Sequence, residues 1–350
     1  MAKTKEPSKD TRNKIVDLHQ AGKTDSAKVS CTFMATLSAN STLWLGLQER
    51  VAGGTSTTFF CLIFLFINSV MLFTLGSKRV FRETSRYILL SNLLLGDTLQ
   101  LVISQLLYLL SASRVTLTYP LCGVIVMLTK LFSRISPLVL VVMSLERYVA
   151  VCHPLRHASI ITSRNTVGTV LAAWVFCFLN VLIQGLLLLM FPFDQLESLQ
   201  MSKFCSFFTM LVVPISEVYF NIYTYFLFIS ASLTIVFSYV GVIVSARSAA
   251  TDKDSARKAR DTLLLHLAQL GLSLLSVFYT TLLLRISTVL SHMVFVQLQS
   301  TLFVCLFLLP RCLSSLVYGL RDQSLRVVFM YHLFCHLKVS VTPVKAAFVS

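Results

Sequence analysis

Charged side chains lie inside several of the long apolar runs of this 350-residue sequence. A charge within hydrocarbon is costly, and it is therefore usually paired or functional. Asp97 and Arg311 each lie about ten residues from one end of their runs, which gives them similar depths in a helix that rises about 1.5 Å per residue. Opposite charges at one depth predict an ion pair between Asp97 and Arg311.

Two further cations, Lys130 and Arg134, lie within the run 122–149. They are four residues apart, so they share one face of a helix. A basic pocket of this kind suits an anionic or strongly hydrogen-bonding small ligand. The alternative is an internal pair with Glu217 in a later run, which needs no ligand, and the two can coexist if a ligand displaces the pair. Further candidates for the same pocket are Thr129, Ser133, Glu217 itself, Tyr279 and Gln297.

The composition defines the elements that must position these charges. Hydrophobic residues make up 55% of the chain and charged residues only 13%, whereas a soluble domain carries roughly 25% charged residues. This balance predicts an all-α membrane protein, because a spanning β-barrel would show short alternating strands instead of long apolar runs. The net charge of +15 then indicates basic loops beside anionic membrane lipids, and no nucleic-acid partner is expected.

Seven windows are long and apolar enough to cross a bilayer. They are 57–76, 86–111, 122–149, 166–191, 216–246, 260–285 and 294–319. Lysine and arginine are concentrated in the segments that follow the first, third, fifth and seventh windows, which places those segments in the cytoplasm. The prediction is a seven-transmembrane helix bundle with its N-terminus outside and its C-terminus inside, in which the first span acts as the signal anchor.

Two covalent modifications fit this topology. Asn40 begins an Asn-x-Ser/Thr sequon on the predicted outer side, so it is a candidate for glycosylation. Apolar residues repeat with helical spacing in 321–338, which predicts a short interfacial helix along the inner leaflet. Cys335 near its end is a candidate for palmitoylation, with an unmodified apolar cysteine as the alternative.

The end of the third window carries a specific motif. It reads "SPLVLVVMSLERYVAVCHPLRHASI", in which Glu146, Arg147 and Tyr148 form an acid-Arg-Tyr triplet. This stretch resembles the close of helix three in rhodopsin-like G-protein-coupled receptors. The "CHPLR" that follows the triplet is close to the form seen in odorant receptors.

Other landmarks extend the resemblance to residues 34–350. Asn68, Asp97 and Trp174 match family positions in helices one, two and four. The stretches "FSYVGVIV" with Tyr239, "KARDTLLLHLAQL" and "LPRCLSSLVYGLRDQ" most resemble the odorant receptor 131-2-like group of fishes.

The resemblance implies a receptor at the plasma membrane that binds a small odorant-like molecule among spans three, five, six and seven. It implies activation of a heterotrimeric G protein, with cyclic AMP as the signal. It also implies a disulfide between Cys122 and Cys205, and sodium bound at Asp97 as the alternative to the ion pair. The residues to which it gives a role in activation are Glu146, Arg147, Tyr148, Tyr239 and Tyr318.

One feature departs from the family. Rhodopsin-like receptors close helix seven with Asn-Pro-x-x-Tyr, whereas Ser314 and Ser315 replace the Asn and Pro here. Pro310 is the expected source of the helix break instead.

Two other classes stay open, a rhodopsin-like receptor for a peptide or lipid and a seven-span transporter. A transporter would usually show internal repeats, and no clear repeat is visible. No motif of nucleophilic catalysis or phosphate binding stands out, so neither an enzymatic activity nor a cofactor or metal is expected.

The opening stretch "SKDTRNKIVDLHQAGKTDSA" resembles the start of mariner-type transposases. The match stops near Lys28, before any recognition helix, so nothing in it could read a DNA groove. We expect 1–33 to be a disordered, transposon-derived extension or a gene-model join, with Met34 as the alternative start. The predicted domains are 1–33, an outer tail 34–56, the receptor domain 57–319 and a cytoplasmic segment 320–350.

Overall fold

The computed structural model of the chain describes most of its first five apolar runs and parts of its C-terminal third. The described residues are 47–113, 115–189, 205, 214–249, 268, 271–272, 282, 286, 302–309, 311, 316–317, 319–320 and 322–333. The helices are α1 (Leu47–Ser77), α2 (Arg79–Glu83), α3 (Ser85–Ala112), α4 (Tyr119–Cys152), α5 (Pro154–Ile160), α6 (Ser163–Leu189), α7 (Pro214–Ala249), a π-helical segment (Phe303–Leu308) and α8 (Gln323–Leu333).

Among the described residues, five helices are long and apolar enough to cross a membrane. Their spanning parts lie in α1, α3, α4, α6 and α7, as Gly54–Ser77, Ser85–Leu110, Tyr119–Cys152, Ser163–Leu189 and Val218–Ser245, with mean hydropathies between 1.6 and 2.3. The predicted helical membrane bundle is therefore confirmed. The predicted extension 1–33 lies outside the described residues, and the predicted spans 260–285 and 294–319 fall mostly outside them.

The perimeter of the bundle is apolar, as lipid requires. Large side chains that point outward, such as Leu171, Phe226 and Phe237, are 60–68% exposed. Soluble monomers rarely expose contiguous apolar surface on this scale. Met71 and Leu94, in contrast, are fully buried at the centre of the bundle. The apolar surface is thus matched to hydrocarbon on the outside and to other helices within.

Helix α4 is the central element of the described bundle. The extended backbone of Thr118 precedes it, and a proline in its first turn favours a helix start. Its 34 residues give a length of about 50 Å, which exceeds the roughly 30 Å of bilayer hydrocarbon. It packs against α3, α6 and α7, so polar side chains on several of its faces are buried.

Two glycines allow close helix approach beside the charged residues. A Cβ on Gly96 would lie 2.5 Å from Ile135 Cγ2, so glycine lets α3 approach α4 closely next to Asp97. A Cβ on Gly241 of α7 would lie 2.5 Å from Tyr148 Cε2 in α4. The backbone of each glycine therefore serves as a packing surface.

Helix α8 packs back onto α1 through one apolar face. Leu325 and Phe329, which lie four residues apart, are both fully buried, and Met71 of α1 belongs to the same cluster. Tyr331, on another face, is half exposed. α8 lies within the predicted range 321–338, and its placement along the membrane surface stays a prediction.

Candidate functional site

The acid-Arg-Tyr triplet lies in the last two turns of α4. The Glu146 carboxylate is largely buried, and its Oε2 lies 3.3 Å from Arg147 Nε. The side chain of Arg147 keeps 29% exposure. The Glu146–Arg147 pair is therefore closed, with the carboxylate inside the bundle and the guanidinium partly exposed at its edge.

A second base faces the same carboxylate. His157 Nε2, in α5, lies 3.9 Å from Glu146 Oε1, on the opposite oxygen from Arg147. His157 was not among the residues predicted for this site. The available sequence signal was its place in "CHPLRH". The proline in this stretch ends α4 and begins the short helix α5, which carries His157 next to the end of α4.

Tyr148 joins the same end of α4 to α7. Its ring contacts the Phe237 ring at 6.0 Å between centroids and lies over the backbone of Gly241. One turn further, the Ser245 hydroxyl donates to Cys152 Sγ at 3.2 Å. The structure thus brings the triplet and the C-terminal part of α7 together.

The other predicted activation residue on α7 is Tyr239. Its side chain is half-buried, two positions before the glycine that packs on Tyr148. Tyr239 therefore lies on the same stretch of α7 as the contacts of the triplet, and its role in activation stays a prediction.

Asp97 and Arg311 lie together in the interior. Arg311 Nη1 donates to Asp97 Oδ1 at 3.0 Å, and the two side chains are 5% exposed or less. The Ser136 hydroxyl of α4 donates to the same carboxylate oxygen at 2.7 Å. Ser136 was not predicted for this site, because a serine in an apolar helix more often bonds to its own backbone.

Arg134 is buried where α4, α6 and α7 meet. It is 4% exposed, and its Nη1 donates a hydrogen bond to Asn180 Oδ1 of α6. The amide of Asn180 in turn donates to Tyr219 Oη of α7 at 2.7 Å. The guanidinium carbon lies 4.1 Å from the Tyr223 ring centroid, a close cation–π contact. None of these three residues was predicted for the pocket.

The other pocket candidates on α4 precede Arg134 by one to five residues. Lys130 is 6% exposed, and its Nζ lies 5.7 Å from the Phe220 ring centroid. The Thr129 and Ser133 hydroxyls donate to carbonyls of their own helix, at 2.9 and 3.0 Å. Both hydroxyls therefore have a local acceptor.

Several predicted residues lie outside the part of the chain that the structure describes. The backbone of Glu217 belongs to α7, but its side chain is not among the described ones. The others outside it are Asn40, Tyr279, Gln297, Tyr318 and Cys335, together with Pro310, Ser314 and Ser315.

The predicted disulfide is confirmed. Cys122 and Cys205 are joined with an S–S distance of 2.01 Å, and both are buried in a small apolar cluster. Cys122 lies in the first turn of α4 and Arg147 near its last, so about 37 Å of helix separates the disulfide from the triplet. The disulfide and the triplet therefore lie at opposite ends of the bundle.

An acid at the start of α8 contacts α3 and was not predicted. Asp322 Oδ1 accepts hydrogen bonds from the backbone N–H groups of Ser324 and Leu325, at 3.1 and 3.2 Å, which caps the helix. Its Oδ2 lies 3.0 Å from Arg86 Nη1 and accepts from Tyr87 Oη at 2.9 Å. An acid just before an apolar helical repeat was the sequence signal for the cap.

We expect Asp322→Ala to lower the stability of the receptor more than Asp322→Asn. Asparagine caps a helix about as well as aspartate, so it loses only the charge that faces Arg86, whereas alanine also loses the cap, worth about 1 kcal/mol. The midpoint of thermal unfolding of the purified receptor measures the stability of both Asp322 variants. Ser324→Ala, an exposed neighbour, is the control and should leave the midpoint unchanged. Equal midpoints for wild type and both Asp322 variants would contradict this role.

The arrangement matches one protein family. The family described as 7 transmembrane receptor (rhodopsin family) matches residues 67–333, which is most of the chain. The chain therefore belongs to the rhodopsin family of seven-transmembrane receptors. It is accordingly a multi-pass membrane receptor and not an enzyme.

Comparison with similar proteins assigns the chain to a group within this family. The chain is 32% identical to Odorant receptor 131-2 of Danio rerio over 281 residues, which cover 79% of this chain and 84% of that protein. It is 27% identical to Putative olfactory receptor 1F12P of Homo sapiens, over 77% of this chain and 80% of the other. The chain is 28% identical to Olfactory receptor 1073 of Rattus norvegicus, over 70% of this chain and 78% of that protein. Within the family, the chain lies among the odorant receptors.

Proposed function

We propose that the chain is a chemosensory receptor of the plasma membrane that binds a small molecule from outside and activates a heterotrimeric G protein. The observation that carries this proposal is the closed Glu146–Arg147 pair at the edge of a buried helix end, in a chain related to odorant receptors. A ligand can activate the receptor only by binding its active state more tightly than its resting state. Activation would release Arg147 from Glu146 and present it to the G protein.

The proposed topology has seven spans, an outer N-terminus and an inner C-terminus. The positions of lysine and arginine support it, and so do the opposite ends of α4 that carry the disulfide and the triplet. In this topology α8 lies along the inner leaflet, against membrane lipids. The domains are those predicted above, with the receptor domain at 57–319 and 1–33 as an extension without a receptor role.

We propose that Arg311 takes the place of sodium beside Asp97. The support is the shared oxygen, since Asp97 Oδ1 accepts from both Arg311 and Ser136. A cation already bound at this carboxylate leaves sodium little electrostatic gain.

The proposed ligand pocket lies around the outer half of α4. Lys130 and Arg134 supply positive charge, which suits an anionic ligand, and Thr129 and Ser133 lie on the same stretch of helix. Glu217, Tyr279 and Gln297 complete the proposed lining. An internal pair between Glu217 and one of the two cations stays the alternative resting arrangement.

We expect Arg147→Ala to reduce the G-protein response of the full chain by about tenfold or more, because it removes a charged donor at the proposed contact. The measurement is cyclic AMP in cells that carry the receptor and a stimulatory olfactory G protein, against panels of acids, amino acids, amines and alcohols. Arg82→Ala is the matched control, since Arg82 is an exposed arginine of the predicted inner surface, on α2.

Surface expression is measured alongside, so that loss of signal is separated from loss of receptor. A ligand response that is the same in wild type and Arg147→Ala would refute the G-protein proposal. If a peptide or lipid gives a response that is lost in Arg147→Ala, the proposed receptor mechanism stands and only the proposed class of ligand is wrong.

A further inference from the structure

The Glu146 carboxylate has a base beside each of its two oxygens. Arg147 Nε lies 3.3 Å from Oε2, and His157 Nε2 of α5 lies 3.9 Å from Oε1. Among the residues that the structure describes, these are the two bases within ion-pair range of this carboxylate. Glu146 is only 7% exposed, so a base that leaves it must be replaced by another, or the buried charge stays without compensation.

The His157 imidazole lies partly in the protein and partly in solvent. Its Nε2 is buried and has no hydrogen-bond partner in the described part of the chain, although Glu146 Oε1 faces it. The side chain as a whole is 35% exposed, so protons can reach the ring from water. Buried polar atoms in native proteins normally have a partner, and the atom that faces this nitrogen is an acceptor. The position therefore suits a nitrogen that donates.

A proton on Nε2 would complete the contact between His157 and Glu146. One ring nitrogen carries a proton in neutral imidazole, whereas both do in imidazolium. Histidine is the side chain that ordinarily changes its charge between about pH 5 and pH 8. A charge-assisted N–H···O bond is about 2.7–2.9 Å long, so the ring has to approach the carboxylate by about 1 Å from its present 3.9 Å. Rotation of the His157 side chain can supply such a small shift.

The other described titratable and charged groups around this end of α4 do not compete for the contact. They are Arg86 and Tyr87 on α3, Tyr148 and Cys152 on α4, His153 and Arg156 in the segment that follows, Arg164 on α6, Tyr239 on α7 and Asp322 on α8. Asp322, the acid among them, already holds Arg86 and Tyr87. In the described part of the chain, none of these groups forms an ion pair with Glu146 or with His157.

We propose that protonated His157 holds the Glu146 carboxylate when Arg147 leaves it, which makes His157 a positioning residue for activation. The buried carboxylate then exchanges one cation for another and keeps a counter-charge throughout. His157 carries its charge at lower pH, so acidification on the side of α5 lowers the cost of releasing Arg147 and favours the active state. At higher pH the ring is neutral, and the carboxylate depends on Arg147 alone.

The pairing of His157 with Glu146 rests on the geometry of the described residues. Its meaning for signalling rests on the proposed function, in which Arg147 is released to the G protein. The first experiment therefore measures the pairing without a G protein, and the second measures its effect on the G protein.

The Arg147→Ala receptor isolates the pairing, because His157 is then the base that remains beside Glu146. Thermal unfolding of the purified full-length receptor is measured at about pH 8 and about pH 6, across the range in which histidine changes charge. We expect the midpoint of Arg147→Ala to gain about 2 °C or more at the lower pH, relative to wild type. The gain should disappear in Arg147→Ala/His157→Gln. In Arg147→Ala/His157→Lys the charge is permanent, so the higher stability should be present at both pH values.

Arg147→Ala/His153→Gln is the matched control. His153 is a histidine at the same end of α4, but its ring contacts the Tyr148 ring, with 5.8 Å between centroids. This control should therefore keep the gain at lower pH. A gain that persists in Arg147→Ala/His157→Gln would show that Glu146 takes up the proton itself, and it would overturn the role of His157. A midpoint of Arg147→Ala that changes with pH only as wild type does would overturn it too.

Nucleotide exchange on a stimulatory olfactory G protein tests the effect on signalling. The full-length receptor in membranes is assayed with and without the compound panels named above. Each rate is divided by that of His157→Gln at the same pH, which cancels the pH response of the G protein itself. We expect this ratio for wild type to be about threefold or more higher at about pH 6 than at about pH 8, because a hydrogen bond to a charged group is gained. His157→Lys should be equally active at both.

The two experiments separate the failure of this inference from the failure of the proposed function. A pH-dependent gain in the midpoint, without nucleotide exchange in any variant, supports the pairing and contradicts the G-protein function. Exchange that depends neither on pH nor on residue 157 supports the G-protein function and refutes His157 as a positioning residue for activation.

Discussion

Loss of either partner of the Asp97–Arg311 pair is expected to destabilise the receptor by about 3–5 kcal/mol, because the remaining charge stays buried without its partner. Both side chains are 5% exposed or less, so water cannot replace the lost contact. Asp97→Leu and Arg311→Met are the single variants. The double variant should recover most of the stability, since an apolar pair of similar volume is often neutral or better. Thermal unfolding and surface expression measure all three.

The exposed Arg79–Glu83 pair is the control. Its atoms are closer, at 2.6 Å, but the side chains are 83% and 61% exposed. Exposed pairs are worth little, so Arg79→Met should leave the midpoint unchanged. A double variant at 97 and 311 that is as unstable as the worse single variant would count against the pair as the source of the effect.

The same variants test whether Arg311 replaces sodium. The thermal midpoint of wild type should not respond when sodium is exchanged for a large organic cation at constant ionic strength. Arg311→Met releases the carboxylate of Asp97, so sodium should stabilise this variant. Sodium dependence in wild type would show that the ion pair does not exclude the ion.

Cys122→Ser is expected to remove most of the receptor from the cell surface. The disulfide closes a loop between two cysteines that are 83 residues apart in sequence, and loss of a native disulfide typically costs about 2–5 kcal/mol. Cys205→Ser should give the same loss, and the double variant should be no worse than either, because all three lack one bond. Surface labelling of intact cells measures the effect.

The free cysteine Cys305, which is exposed, is the control, and Cys305→Ser should be expressed like wild type. A Cys122→Ser receptor with normal surface expression would show that the disulfide is dispensable for folding. An additive loss in the double variant would show that the two cysteines contribute separately.

The helices were predictable because bilayer hydrocarbon imposes one requirement on every span. Each predicted boundary of the five described spans lies close to the observed one; the first window, 57–76, corresponds to Gly54–Ser77. The helical spacing of apolar residues in 321–338 predicted a helix there, but not that Leu325 and Phe329 of α8 would be buried against α1. Such patterns are local, so they can be read from one sequence.

The partners of the buried charges were less predictable, because they come from distant parts of the chain. Arg134 bonds to Asn180 across 46 positions, and Asp322 reaches Tyr87 across 235. Asparagine and tyrosine occur in apolar helices without any periodic signal that singles them out. The choice between an acid and an amide as partner depends on how the helices are rotated about their axes, which hydropathy does not determine.

Gly241 and Tyr148 pack against each other, and this contact also limits which substitutions each position can accept during evolution. Because a Cβ at 241 would lie 2.5 Å from the ring of Tyr148, a larger residue at 241 is compatible only with a smaller or displaced side chain at 148. Selection that preserves the tyrosine of the triplet therefore also preserves glycine on a different helix. A substitution at either position restricts which later substitutions the other can accept, so the two must change in a set order.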